Sequence, residues 1–146
     1  MAEVSTYLNF NRKCEEAFNF YKSVFGGEFV EPGVSRYGEA PPQDGMPPLP
    51  EEDKNLVMNV GLKILGDHLI MGSDVSESLG MKLVPGNHMY ITLQPDSRAD
   101  SDRLFAALAE GGTVEIPMQD MFWGDYYGSL TDRFGIGWMI NCSSKQ

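Results

Sequence analysis

Two short segments decide the fold of this 146-residue chain: VFGGEFV, residues 24–30, and LAEGGTVEI, residues 108–116. Each joins the end of an amphipathic helix to the start of a strand through a Gly-Gly pair, because glycine tolerates the left-handed backbone that ends helices. A strand precedes each helix, and two further strands follow. The order strand, helix and three strands therefore occurs twice, which predicts an internal duplication.

The first copy has apolar residues at helical spacing after its first strand, with Asn11 as the predicted cap. The helix positions expected in the core are Cys14, Ala17, Phe18, Tyr21 and Phe25. The other predicted elements are a strand over 4–10, a strand over 28–37, an exposed proline-rich loop over 38–54, and a hairpin made of 55–65 and 68–74.

The second copy begins with a strand over 88–95, and Ser97 with Asp100 forms a predicted capping box for its helix. The inner face of that helix is Leu104, Phe105 and Leu108. Three strands follow, over 113–118, 125–131 and 136–141. In the last strand, alternation separates Ile136, Trp138, Ile140 and Cys142 on one face from Gly137, Met139 and Asn141 on the other.

These elements predict an α+β protein of two βαβββ modules. Module 1 covers residues 1–74, a linker covers 75–86, and module 2 covers 87–146. We expect each mixed sheet to bury one face under its helix and to curve its other face around a cavity. A single globular unit of this size has enough residues for an ordinary core.

Composition limits the partners. The formal net charge is -10, from 21 acids against 11 scattered bases, so nucleic acid and anionic membranes are not expected partners. No apolar run reaches the roughly 20 residues that a membrane helix needs. Cys14 and Cys142 are predicted to be buried thiols rather than a disulfide, and the N-terminal segment lacks the order of a secretory signal, which favours the cytoplasm.

Three stretches carry a resemblance to a known family: residues 7–29, the GSD at 72–74, and residues 104–141 with its FWG…TDRFG…W pattern. They resemble the PhnB-like branch of the vicinal-oxygen-chelate superfamily, which includes glyoxalases, extradiol dioxygenases and bleomycin-resistance proteins. The resemblance covers most of the chain and implies the glyoxalase/bleomycin-resistance-like fold. It does not name a reaction, because this fold carries many chemistries.

Metal-dependent members of the superfamily take ligands from the first and last strands of each module. The resemblance places those four positions at Thr6, Met71, Tyr90 and Met139. None is a usual ligand for a hard or borderline divalent ion, which prefers imidazole, carboxylate or thiolate. The sequence therefore predicts neither a metal nor another cofactor, and a thioether at Met139 indicates packing or ligand contact.

Further candidate ligand-binding residues lie near these positions. His88 shares the predicted strand face of Tyr90, where it could serve as a base, although lone histidines are more often structural; His68 is expected to be exposed. Trp123 and Tyr127 belong to a segment rich in sulfur and aromatic groups, which forms either a ligand wall or a packed turn. Asn59 is either a cavity amide or a surface residue.

The function we infer is binding of a small organic molecule in an apolar cavity, by a homodimer. Two alternatives stay open: a metal-dependent lyase, dioxygenase or transferase with ligands displaced to His88, Asp74, Asp125 or Glu115, and a drug-sequestering module that attracts cationic compounds. The proline-rich loop is either a lid, with Arg36 and Tyr37 at its hinge, or an arm that wraps a second subunit.

Overall fold

Each copy of the predicted repeat forms its own four-stranded mixed sheet with one helix packed on it. The computed structural model describes residues 2–41, 45 and 48–143, and the chain divides into two units, Met1–Val84 and Pro85–Gln146. The first unit contains β1 (Thr6–Phe10), α1 (Cys14–Phe25), β2 (Ser35–Arg36), β3 (Val57–Lys63) and β4 (Leu69–Asp74). The second contains β5 (Ile91–Leu93), α2 (Arg98–Ala109), β6 (Thr113–Asp120), β7 (Tyr126–Thr131) and β8 (Gly137–Cys142).

The two sheets have the same topology. Their strand orders are β1-β4-β3-β2 and β5-β8-β7-β6. In each, the first strand pairs parallel with the last, and the other pairs are antiparallel. This equivalence confirms the predicted α+β class and the duplicated βαβββ order. None of the helices in the described residues is long and apolar enough to cross a membrane.

Helix α1 packs closely on the first sheet through its aromatic residues. The ring of Phe18 meets those of Phe10 and Tyr21 edge to face, with centroids 6.1 and 5.6 Å away. A Cβ placed on Gly72 of β4 would lie 2.5 Å from Cε1 of Phe18, so only glycine allows this approach. The predicted core face is confirmed apart from its last member, because Val24 is buried where Phe25 was expected.

The start of α1 is capped from a distance. Asn11 is not the cap: the helix begins at Cys14, and no side chain at its cap position forms the bond. The backbone N–H of Cys14 instead donates to Oδ1 of Asp74, at 2.9 Å. A carboxylate is favourable there because the N-terminal end of a helix carries partial positive charge. Burial of the Cys14 thiol raises its pKa, and the nearby negative charge of Asp74 adds to this effect.

The Ser97 half of the capping box predicted for helix α2 is confirmed. The Ser97 hydroxyl accepts a hydrogen bond from the backbone N–H of Asp100 at 3.1 Å. The carboxylate of Asp100 lies 3.7 Å from Arg103, so it forms an ion pair along the helix. Leu104, Phe105 and Leu108 are buried as expected.

The second strand of the first unit is much shorter than predicted. Only Ser35–Arg36 forms a strand, and Phe29 makes an isolated bridge to Leu62. Pro32 lacks a backbone N–H, and Gly33 adopts a φ of +90° as the chain turns, so the ladder is interrupted between Phe29 and Ser35.

The proline-rich loop is tied down at both ends. Residues 42–44 and 46–47 lie outside the described part of the chain. At the start, the Tyr37 hydroxyl donates to the backbone carbonyl of Asp74 at 2.9 Å, and Arg36 pairs with Glu15 at 2.8 Å. At the end, Asp53 is only 1% exposed, so the prediction of a fully exposed loop is wrong at that residue.

Candidate functional site

The last strand has the two faces that the sequence predicts. Trp138, Ile140 and Cys142 are almost completely buried, with at most 1% exposure, on the side of α2. Gly137, Met139 and Asn141 point the other way and are half-buried. Because side chains alternate along each strand, register assigns the neighbouring residues to one side or the other. We call the side opposite α2 the far face of the second sheet.

The far face combines sulfur, aromatic, hydroxyl and amide groups. Its strand residues, assigned by pairing with β8, are Thr92, Tyr127, Ser129, Thr131, Gly137, Met139 and Asn141. Met139 lies in the middle, paired with Thr92 on one side and Ser129 on the other. Gly137 and Asn141 are four residues apart, which corresponds to about 13 Å along the strand. This length suits a small organic molecule.

One end of the far face holds an oriented carboxylate. The Tyr90 hydroxyl donates to Oε1 of Glu115 at 2.8 Å, and the Thr131 hydroxyl donates to Oε2 at 2.9 Å. The ring of Tyr90 lies against Gly137, where an added Cβ would be 2.8 Å from Cδ2. The hydrogen bond to Glu115 raises the pKa of Tyr90, with desolvation and the charge of Glu115 adding to it. The phenol therefore stays protonated near neutral pH.

The other end is aromatic with a hydrogen-bonded amide. The rings of Trp123 and Tyr127 meet with centroids 6.0 Å apart, and Phe122 contacts Trp123 at 5.0 Å. Trp123 is 50% exposed, so its ring is available to a ligand as well as to its neighbours. The Asn141 amide donates to Oδ2 of Asp125 at 3.0 Å. Four predicted ligand-binding residues thus belong to this unit's far face or its rim: Tyr90, Trp123, Tyr127 and Met139.

The first unit distributes its predicted residues over both faces of its sheet. Met71 pairs with Tyr7 and Gly61, and alternation places it opposite the side of α1 together with Asn59. Asn59 is exposed. Side chains two residues apart on a strand share a face, so Thr6 lies on the same side of the sheet as Leu8 and Phe10, which is the α1 side. Met71 lies on the opposite side. The β1 residue that pairs with Met71, and so shares its side of the sheet, is Tyr7.

The two histidines differ from expectation. His68 is partly buried rather than exposed, because its Nε2 is hydrogen-bonded to Oγ1 of Thr6 at 2.9 Å. His88 lies in a bend outside β5, which begins only at Ile91, and is exposed. The alternation that grouped His88 with Tyr90 does not apply outside a strand, so the prediction that residues 88–95 form one strand is wrong at that end.

Two buried carboxylates serve the fold, and sequence reasoning missed their role. Asp74 accepts from the backbone N–H groups of Cys14 and Val57, at 2.9 and 3.0 Å. Asp132 accepts from the backbone N–H of Phe134 and from the indole Nε1 of Trp138, at 2.8 and 2.9 Å. The GSD and TDRFG motifs therefore hold turns and helix ends together. The sequence signal that could have predicted these roles is an aspartate next to a turn, because its side chain often accepts hydrogen bonds from the backbone there.

No group of three or more histidine, cysteine, aspartate or glutamate side chains lies together as a metal site in the part of the chain that the structure describes. The proposed displaced ligands have other surroundings. Asp74 caps α1, Asp125 binds Asn141, and Glu115 binds two hydroxyls. His88 is exposed in its bend.

Two βαβββ units with these sheets define the class of protein: the vicinal-oxygen-chelate fold. A glyoxalase/bleomycin-resistance/dioxygenase family protein from Burkholderia phytofirmans superposes with a TM-score of 0.61 at 19% identity, covering 94% of this chain and 96% of that one. At this identity the likeness shows the fold alone. It agrees with the fold that the sequence predicts.

The chain belongs to the family described as 3-demethylubiquinone-9 3-methyltransferase, whose model matches residues 2–141. A Bacillus cereus protein described as a putative member of that family, PhnB protein, has a TM-score of 0.75 at 24% identity and covers 97% of this chain and 100% of its own. Protein PA1353 from Pseudomonas aeruginosa reaches a TM-score of 0.82 at 34% identity, covering 98% of both chains. The PhnB-like branch is thereby confirmed.

Proposed function

We propose that this chain binds a small organic molecule on the far face of its second sheet, without needing a metal. The observation that carries the proposal is the composition of that face. A thioether at Met139 lies between an aromatic pair at one end and a hydrogen-bonded carboxylate at the other. Ligand sites commonly combine apolar walls with a few fixed polar groups that set orientation.

A thermal-shift screen tests the proposal directly. Purified protein treated with a chelator is screened against small metabolites, with and without added divalent ions. A specific ligand stabilises the folded state by mass action, so we expect the melting temperature to rise in the chelated protein. If stabilisation instead requires stoichiometric zinc, nickel, iron or manganese, the metal-dependent alternative replaces this proposal.

Substitutions then locate the bound molecule. Met139→Ala and Trp123→Ala are expected to weaken any hit from the screen, because both side chains contribute apolar contact area. Val84→Ala is the control, since this side chain is 78% exposed and belongs to the other unit. Equal loss of binding in all three variants would show a general effect on folding and would contradict placement on the far face.

The dependence of affinity on ionic strength distinguishes binding through contacts on the far face from the drug-sequestering alternative. Binding of a cationic aromatic compound by long-range attraction to the acidic protein weakens strongly as ionic strength rises. Binding through contacts with Met139 and the aromatic pair is much less sensitive. We therefore expect cationic hits from the screen to keep most of their affinity at high ionic strength, whereas the drug-sequestering alternative expects them to lose it.

The assembly and location are also proposals. We propose a cytoplasmic homodimer, on the basis of the sequence resemblance. Light scattering during size-exclusion chromatography should give a mass of twice 16.2 kDa. A mass that stays at the single-chain value across the accessible concentration range would contradict the dimer.

A further inference from the structure

Two hydroxyl groups, those of Tyr90 and Thr131, hold the carboxylate of Glu115 in place. Tyr90 precedes β5, and Thr131 ends β7. Each carboxylate oxygen receives one hydrogen bond, at 2.8 and 2.9 Å. An ionised carboxylate has about four acceptor sites, so each oxygen retains acceptor capacity, and Glu115 is exposed. The two bonds fix the direction in which that capacity is presented.

In the described part of the second unit, each arginine binds a group other than Glu115. Arg98 pairs with Asp120 at 2.7 Å, Arg103 with Asp100 at 3.7 Å, and Arg133 donates from Nε to the backbone carbonyl of Glu110 at 3.1 Å. The neighbours of Glu115 are neutral hydroxyls. Its negative charge is therefore oriented by the fold and balanced by no ion pair among the residues that the structure describes.

We propose that Glu115 receives a protonated amine, so that the ligand of the far face is an organic amine with an apolar or aromatic body. This inference rests on the proposed function, which it narrows to one class of ligand. An ammonium group offers three N–H donors and a full positive charge, and a hydrogen bond between ionised groups is about twice as strong as a neutral one.

The position of Glu115 relative to Met139 suits such a molecule. Tyr90 lies against Gly137, which is two residues from Met139 on β8, or about 7 Å along the strand. An amine joined to a ring by a short aliphatic chain covers that distance. Its ring would lie on the thioether of Met139 and point toward Tyr127, where sulfur and aromatic contacts are favourable. The amine end therefore decides selectivity, and the ring contributes affinity.

Three probes of nearly equal size test the proposal by isothermal titration: 2-phenylethylamine, 2-phenylethanol and 3-phenylpropanoate. The wild-type protein should bind the amine about tenfold more tightly than the alcohol, and the carboxylate most weakly. Glu115→Gln should bring the affinity for the amine down to that for the alcohol. Glu110→Gln removes the same charge outside the far face and should keep the preference.

The outcomes separate this inference from the function on which it rests. Equal binding of amine and alcohol by the wild type, or a preference that survives Glu115→Gln, would overturn amine selection while leaving ligand binding on the far face intact. If Glu110→Gln also loses the preference for the amine over the alcohol, that preference comes from the net charge of the protein. This result would also overturn the role of Glu115. Binding of none of the probes overturns the inference, whereas the metabolite screen decides the proposed function separately.

Discussion

Replacing Asp132 with alanine should destabilise the second unit strongly. Asp132 is 3% exposed, and its carboxylate accepts hydrogen bonds from the backbone N–H groups of Phe134 and Ile136 at 2.8 and 3.0 Å, and from Nε1 of Trp138 at 2.9 Å. Trp138 is completely buried, so water cannot easily replace the lost acceptor. An unsatisfied buried donor costs about 1–3 kcal/mol, and the two backbone bonds add about 0.5–1.5 kcal/mol each.

The expected loss of unfolding free energy for Asp132→Ala is therefore about 2–6 kcal/mol, measured by urea denaturation followed by circular dichroism. Asp96→Ala, at an exposed position of the same unit, is the control and should change stability by less than about 0.5 kcal/mol. In the Trp138→Phe background, which removes the indole donor, Asp132→Ala should cost about 1–2 kcal/mol less. A loss below about 1 kcal/mol in the wild-type background would refute this reasoning.

Two further predictions concern the first unit. Gly72→Ala should cost about 1–3 kcal/mol through overpacking, because its Cβ would lie 2.5 Å from Phe18; urea denaturation measures this, and a neutral effect would contradict the close approach. The hydrogen bond from Arg12 is the largest cause that lowers the pKa of Asp53. The pair therefore stabilises the folded state fully at pH values above the ordinary aspartate pKa of about 3.9. This stabilisation is lost as the pH falls through the lowered pKa of Asp53 in the folded state. Arg12→Gln should therefore reduce stability at neutral pH more than at about pH 3, and an equal loss at both would show that the ion pair is not responsible.

The duplicated fold was predictable because its signals are local. The Gly-Gly helix ends, the helical spacing of apolar residues and the alternation in β8 each depend on neighbours in sequence. Ser97 is also a local cap, and the structure confirms it. Where residue preference, apolar spacing and turn residues all favour the same helix or strand, packing in the folded unit stabilises that same element.

Two of the failures have a different physical cause, which is that the decisive partner lies far along the chain. Asn11 is next to the helix, yet Asp74, sixty residues from Cys14, caps it. Thr6 and His68 form a hydrogen bond across 62 positions, which no local pattern reports. The strand predicted over 28–37 failed for a local reason that the prediction underweighted, since Pro32 and Gly33 interrupt its ladder.

The candidate site was partly predictable for the same reason. Alternation along β8 placed Met139 opposite the buried face, and the resemblance made it a site position, whereas Tyr127 was predicted from the aromatic and sulfur-rich segment to which it belongs. Glu115 entered only as a displaced metal ligand, because its two hydroxyl partners come from other elements of the sheet. Its assignment to the far face rests on those hydrogen bonds, because the register of β6 shifts between Val114 and Ile116, where alternation does not apply.

The most direct test of ligand binding on the far face uses the methyl group of Met139 as a reporter. Protein labelled with ¹³C at the methionine methyl groups is chelated and titrated with a hit from the metabolite screen, and the Met139 signal is assigned by its loss in Met139→Leu. We predict that this signal shifts on binding in the absence of any divalent ion. A saturating ligand that leaves the Met139 methyl signal in place, or shifts it only after a metal is added, would contradict the account.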